Sequence, residues 1–81
     1  MNLDGLLGKT PATLDELTVR VYYALERHPL CRGVEFDTIS MPRTRKTNWT
    51  VNLRSVPRGA LFEAHAIVSD IQEAYELAAV A

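Results

Sequence analysis

The sequence predicts a small α+β domain, a helix–β-hairpin–helix (αββα) two-layer sandwich. Three observations predict it: two apolar stretches at helical spacing, two alternating segments between them, and a length of 81 residues, which allows one domain. We expect this domain to span residues 13–81, after an N-terminal arm at residues 1–12. A two-stranded ribbon covered by two helices makes a thin core. We therefore expect dimerisation, or an added strand from the arm, to complete it.

The first helix is predicted to begin at Thr13. Thr13 and Glu16 have capping-box spacing, in which each side chain binds the backbone amide of the other residue. Apolar residues then repeat along one face at helical spacing, and His28 falls on the same face: Leu14, Leu17, Val21, Ala24, Leu25 and His28. Pro29 is expected to stop the helix, because the residue before a proline is pushed out of the α region.

Two strands are predicted to form a hairpin. In the second strand Trp49, Val51 and Leu53 alternate with polar residues, which predicts one buried and one exposed face. The first strand, roughly Val34 to Met41, alternates imperfectly, and a bulge near Asp37 and Thr38 would bring its two halves into phase. Residues 42–47 form a turn that is expected to be mobile.

The second helix is predicted to begin at Pro57 or Arg58, because proline is favoured in the first turn of a helix. It is expected to end at about Leu77 or Ala79. Its apolar residues also repeat at helical spacing, and they are Leu61, Ala64, Ile67, Val68, Ile71, Ala74, Tyr75 and Ala78. These positions are expected to cover the hairpin.

Composition bears on location. The single cysteine, Cys31, allows no internal disulfide, which fits a reducing compartment. No apolar run approaches the roughly 20 residues needed to cross a bilayer, and residues 1–8 lack the pattern of a signal peptide. We therefore expect a cytoplasmic protein with no membrane partner.

Charge is segregated along the chain. Residues 38–62 contain no Asp or Glu and carry five basic residues, whereas the rest of the chain holds four basic and ten acidic residues. The candidate contacts for an anion or a nucleic acid are the five basic residues Arg43, Arg45, Lys46, Arg54 and Arg58. Arginine and lysine neutralise phosphates, but a basic turn of this kind is more often a plain solvated loop, or one that pairs with an acidic helix surface. Arg58 also lies at the expected start of the second helix, where free amides favour an anion.

Metal and enzyme chemistry have little support in the sequence. His28 and Cys31 have the spacing of two ligands, but a structural zinc needs four. A nucleophile–base pair of Cys31 with a histidine depends on proximity that the sequence does not show. There is no glycine-rich phosphate loop. We therefore expect no enzyme activity, no metal and no cofactor.

Several apolar residues fall outside the main stripes of the two helices, and they are the candidate partner surface: Val19, Tyr22, Tyr23, Phe62 and Leu77. Tyrosine and phenylalanine are enriched in protein interfaces, and contiguous exposed apolar patches usually mark a partner. The leading hypothesis is therefore a non-enzymatic interaction module that forms a homo-oligomer, most simply a dimer, or binds another protein. The alternative is a nucleic-acid-binding module that uses the basic hairpin tip.

Overall fold

Six main elements follow one another in residues 8–78, the part of the chain that the computed structural model describes. They are β1 (Thr10–Ala12), α1 (Leu14–Arg27), β2 (Glu35–Ser40), β3 (Trp49–Ser55), α2 (Leu61–Ala74) and β4 (Tyr75–Leu77), with a 3₁₀ turn at Pro29–Cys31. β1 pairs with β4 in parallel, and β2 pairs with β3 antiparallel. The chain is an α+β fold, but the expected αββα order describes only its four central elements.

α1 forms as its sequence predicts. The Glu16 N–H donates to Thr13 Oγ1 (3.1 Å), and the Thr13 N–H donates to Glu16 Oε1 (2.8 Å), so both bonds of the capping box are present. The helix ends at Arg27, two residues before Pro29. Its inward stripe is buried completely or nearly so, at Leu17, Val21 and Leu25.

The hairpin forms, but its bulge lies elsewhere than expected. Asp37 pairs with Asn52 and Thr38 with Val51 in regular register, so there is no bulge at Asp37–Thr38. The irregularity lies between Glu35, which pairs with Ser55, and its neighbour, which pairs with Leu53. Arg54 is the extra residue on β3, and it shifts the pairing of the two strands by one position. Ile39 consequently stays on the outer face, where it is 42% exposed.

α2 is shorter than predicted at both ends. Gly59 has a φ of +82°, which a right-handed helix does not accommodate, and the Ala60 N–H closes a turn onto the Pro57 carbonyl (3.0 Å). At the other end, Tyr75 is extended (φ −131°, ψ 148°) and begins β4. The helical periodicity continues into β4, which explains why the pattern alone overextends the helix.

The two small sheets meet at the turn end of the hairpin, where β3 begins. The Leu77 N–H donates to Asn48 Oδ1, and Asn48 Nδ2 donates to the Leu77 carbonyl, both at 2.9 Å. Trp49 Nε1 donates to the Tyr75 carbonyl (3.1 Å), and Gln72 Nε2 donates to the Trp49 carbonyl (2.8 Å). Side chains of the hairpin therefore tie it to β4, and Gln72 ties it to α2.

The core lies between the helices and one face of the hairpin. α1 contacts β2, α2 contacts β3, and the helices contact each other. Trp49 is fully buried, as its position on the apolar face of β3 predicts. The other buried apolar residues of this cluster come from β1, the 3₁₀ turn, the two helices and the residues just before β2 and α2: Ala12, Leu17, Val21, Leu25, Cys31, Val34, Ala60, Ala64 and Val68.

Part of the expected arm belongs to the fold. Residues 10–12 form β1, and Ala12 is buried, but they pair with β4 rather than extend the hairpin. Residues 1–7 of the arm lie outside the described part of the chain. Within residues 8–78, neither helix has the length and apolar character needed to cross a membrane.

Candidate interaction surface

Three large side chains project from α1 on the side away from the core. Val19 is 51% exposed, Tyr22 48% and Tyr23 61%. The two tyrosine rings meet edge to face, with centroids 5.4 Å apart and planes at 74°, a preferred arrangement for aromatic pairs. We call these three residues the α1 outer surface. All three belong to the partner surface predicted from the sequence.

An open groove of about 540 Å³ runs along one side of the α1 outer surface. α1 forms one wall, and Ile71 of α2 and Tyr75 of β4 form the other; we call it the α2-side groove. The Arg20 guanidinium lies over the Tyr75 ring, 4.5 Å from its centroid. This cation–π contact holds a charged and an aromatic group at the wall of the groove.

A second open groove, of about 410 Å³, runs along the opposite side of the α1 outer surface. Its far wall is formed by the first residues of the hairpin and by Arg54, and we call it the hairpin-side groove. Val19 and Tyr23 line both grooves. They therefore form a ridge with a groove on each side. Helices pack against each other by fitting such ridges into grooves.

The other two predicted partner residues lie apart from this ridge. Phe62, in the first turn of α2, is 79% exposed beside Leu61 at 55%, and it lines neither groove. Leu77 lies in β4, half-buried and packed against the core. Because α2 ends at Ala74, Leu77 does not lie on a helix surface. The structure thus brings together three of the five predicted partner residues.

Two of the five basic candidates are engaged within the chain. Arg43 Nη2 lies 2.8 Å from Glu76 Oε1, across the junction between the hairpin and β4. Arg54 lies 2.9 Å from Asp37 and 3.8 Å from Glu35, both on the neighbouring strand. The acidic partners come from β2 and β4. Part of the positive charge of the basic segment is therefore neutralised by ion pairs within the chain.

The remaining cations, Arg45, Lys46 and Arg58, are exposed and form no ion pair with a carboxylate of residues 8–78. Thr44 organises the tip: its N–H donates to the Thr47 carbonyl (2.8 Å), and its Oγ1 accepts from the Lys46 and Thr47 amides. Arg58 lies in the turn before α2, three residues ahead of the helix. It is therefore not at the helix start that the sequence predicted.

The His28–Cys31 segment is built into the structure. His28 Nδ1 accepts from the Leu30 N–H (3.2 Å), and its Nε2 lies 3.4 Å from Glu63. Cys31 is fully buried; burial raises the pKa of its thiol, and the negative charge of Glu63 raises it further. A raised pKa leaves less thiolate, the nucleophilic form. Within the described residues, no three His, Cys, Asp or Glu side chains are grouped to hold a metal.

The periodicity of the sequence does not reveal the second wall of the α2-side groove. The helical spacing predicts that Ile71 and Tyr75 lie on the apolar face of α2, but Tyr75 lies on β4, where its ring lines the groove beneath Arg20. The only signal in the sequence is that Tyr75 continues the helical spacing of the apolar residues before it. It does not distinguish a continued helix from a short strand.

Comparison with known proteins adds no assignment: no known protein family, no curated protein and no solved structure matches this chain.

Proposed function

We propose that this protein is a non-enzymatic interaction module that associates with a second copy of itself through the α1 outer surface. The observation that carries the proposal is the α1 outer surface of Val19, Tyr22 and Tyr23, which is about half exposed although the opposite face of α1 is buried. Contiguous exposed apolar surface of this kind is typical of a partner site. We also propose that the protein is located in the cytoplasm.

The energetics favour a weak, reversible complex. A fully buried large apolar side chain contributes about 1.5–3 kcal/mol, so each half-exposed side chain has about 1 kcal/mol to gain. Six such side chains across a symmetric pair would supply about 6 kcal/mol, which lies within the ~4–15 kcal/mol that association costs in lost freedom. Additional polar contacts must then decide the affinity, and the complex should depend on concentration.

Sedimentation velocity at rising protein concentration tests the proposal. The wild-type chain should shift from monomer to dimer, and the variant Val19→Ser/Tyr23→Ser should stay monomeric. Phe62→Ser is a matched control, because it removes a more exposed aromatic side chain that lines neither groove. A wild-type chain that stays strictly monomeric at the highest soluble concentration would overturn the proposal, as would a Val19/Tyr23 variant that associates like the wild type.

Nucleic-acid binding is the second candidate function. It is favoured by one observation: Arg45 and Lys46 are adjacent on the hydrogen-bonded tip and pair with no carboxylate of the described residues. Binding to mixed-sequence DNA and RNA should then weaken steeply with salt. Arg45→Ala/Lys46→Ala should bind more weakly and with a shallower salt dependence than the wild type, whereas Arg54→Ala should change both less. Absence of binding at low salt would eliminate this candidate.

A further inference from the structure

The α2-side groove carries opposite charges at its two ends. Asp15 lies in the first turn of α1 and Arg27 in the last, and both line the groove. A separation of 12 residues along a helix corresponds to about 18 Å. Both side chains are exposed, and neither forms an ion pair with another residue of the described range. The ridge residues Val19 and Tyr23 lie between them.

These four positions are symmetric along the helix. Asp15 and Arg27 lie six residues on either side of Val21, and Val19 and Tyr23 lie two residues on either side of it. If a twofold axis crosses α1 at the level of Val21, an antiparallel second copy places Asp15 opposite Arg27 and Val19 opposite Tyr23. Each contact then occurs twice, as in any isologous interface.

We propose that two copies associate through antiparallel α1 helices, the ridge of each lying in the α2-side groove of the other and Asp15 of each facing Arg27 of the other. This inference rests on the proposed function, and it names the partner surface and its orientation. A parallel pairing would instead bring Asp15 against Asp15 and Arg27 against Arg27, which repel. Antiparallel helix dipoles also attract each other.

One like-charged pair accompanies this register. Glu16 comes opposite Glu26, five residues on either side of Val21. Both carboxylates already accept backbone bonds in their own copy: Glu16 from the Thr13 N–H at 2.8 Å, and Glu26 from the Gly33 N–H at 3.2 Å. Their positions are thus held by local structure, and Arg20 is engaged with the Tyr75 ring of its own copy, so Asp15 and Arg27 are the groove charges that can determine orientation.

A charge-exchange experiment tests the orientation. Asp15→Arg alone and Arg27→Asp alone each convert two attractive contacts of the antiparallel dimer into two repulsive ones. Each variant alone should therefore self-associate about tenfold more weakly than the wild type. An equimolar mixture should regain wild-type affinity as a heterodimer, because each chain then meets its opposite charge. Sedimentation equilibrium on the single variants and on the mixture measures this.

Two controls match the charge changes. Asp70→Arg and Arg45→Asp alter exposed residues that line neither groove, and they should leave the association constant within about twofold of the wild type. Circular dichroism verifies that each variant is folded. If Asp15→Arg or Arg27→Asp does not fold, the neutral variants Asp15→Asn and Arg27→Gln replace them, with a smaller expected weakening.

The outcomes separate the two proposals. A monomeric wild type overturns both. A dimeric wild type whose single variants associate normally, or whose mixture is not restored, overturns the antiparallel pairing and leaves the proposed function standing. A mixture that associates more tightly than the wild type, with unchanged single variants, would indicate a parallel pairing and likewise overturn the inference.

Discussion

At the scale of single residues, the Asn48 side chain makes two hydrogen bonds to β4 of the kind that a neighbouring strand would make. Its amide is both donor and acceptor, and it satisfies both the N–H and the carbonyl of Leu77. A backbone segment in the same place would make the same two bonds. The neighbouring Trp49 adds its indole N–H to the Tyr75 carbonyl. Two adjacent side chains therefore anchor β4, 26 to 29 residues further along the chain.

We expect Asn48→Ala to lower the free energy of unfolding by about 1–2 kcal/mol, because it leaves two partly buried backbone groups without partners. This corresponds to a fall in melting temperature of roughly 4–8 °C per kcal/mol for a domain of this size. Asn52→Ala is the matched control, since Asn52 is exposed on the neighbouring strand β3. Thermal unfolding followed by circular dichroism compares them. Equal melting temperatures for the two variants would contradict the role of Asn48.

Glu16 links the stability of α1 to pH. The pKa of this carboxyl lies below its ordinary 4.5. The main cause is the hydrogen bond from the Thr13 backbone N–H, followed by the hydrogen bond with the Thr13 side chain, and the positive charge of Arg20 lowers the pKa further. A carboxyl whose pKa is lower in the folded state stabilises the fold above its unfolded pKa, and this contribution is lost as pH falls through the folded pKa. Acidification below about 4.5 should therefore weaken the cap.

Glu16→Gln tests this linkage, because glutamine keeps a capping oxygen but does not titrate. Urea unfolding at pH 7 and pH 3 should show a smaller acid-induced loss of stability for Glu16→Gln than for the wild type. Glu73→Gln, which changes an exposed glutamate of α2, should lose as much as the wild type. An unaltered pH dependence in Glu16→Gln would show that the cap does not contribute.

At the scale of elements, local signals predicted α1 and the hairpin well. The capping box, the proline after the helix and the alternation around Trp49 each act within a few residues, so the sequence displays them directly. β1 and β4 are three residues each and pair across more than 60 residues of chain. No local pattern encodes such a pair, because its bonds form only after the other elements have brought the two segments together.

The same distinction applies to the candidate site. The α1 outer surface of Val19, Tyr22 and Tyr23 was predictable, because residues off the buried stripe of a helix face outward. The second wall of the α2-side groove was not, since it depends on where α2 ends and on the docking of β4. Likewise, the pairing of Arg43 with Glu76 depends on tertiary structure, so the sequence overstated the number of free cations.

The connection between the 3₁₀ turn and β2 depends on Gly33, whose φ is +87°. An added Cβ would meet no atom within 4 Å, so the cost of a substitution is conformational rather than steric. We expect Gly33→Ala to lower the free energy of unfolding by about 1–2 kcal/mol. Gly33→Asn should cost less, because asparagine tolerates the left-handed region. Denaturant unfolding ranks the variants, and an alanine variant as stable as the wild type would contradict this account.

At the scale of the whole molecule, association should couple to stability. A partner that binds the folded state but not the unfolded state stabilises it by mass action, so the melting temperature depends on concentration. The wild-type melting temperature should therefore rise with protein concentration, whereas that of Val19→Ser/Tyr23→Ser should not. Differential scanning fluorimetry over a hundredfold concentration range measures both. A concentration-independent wild type would contradict coupling between association and folding.

Because Cys31 is completely buried, the reactivity of its thiol reports transient opening of the core. It is the only cysteine in the sequence, and it lies where the 3₁₀ turn, α1 and α2 come together. A thiol-reactive dye reaches it only in molecules whose core has transiently separated, so the labelling rate measures how often that happens. If two copies cover α1, labelling should slow as the protein becomes more concentrated. The labelling rate of Cys31 would thus report the assembly of the protein without any added probe site.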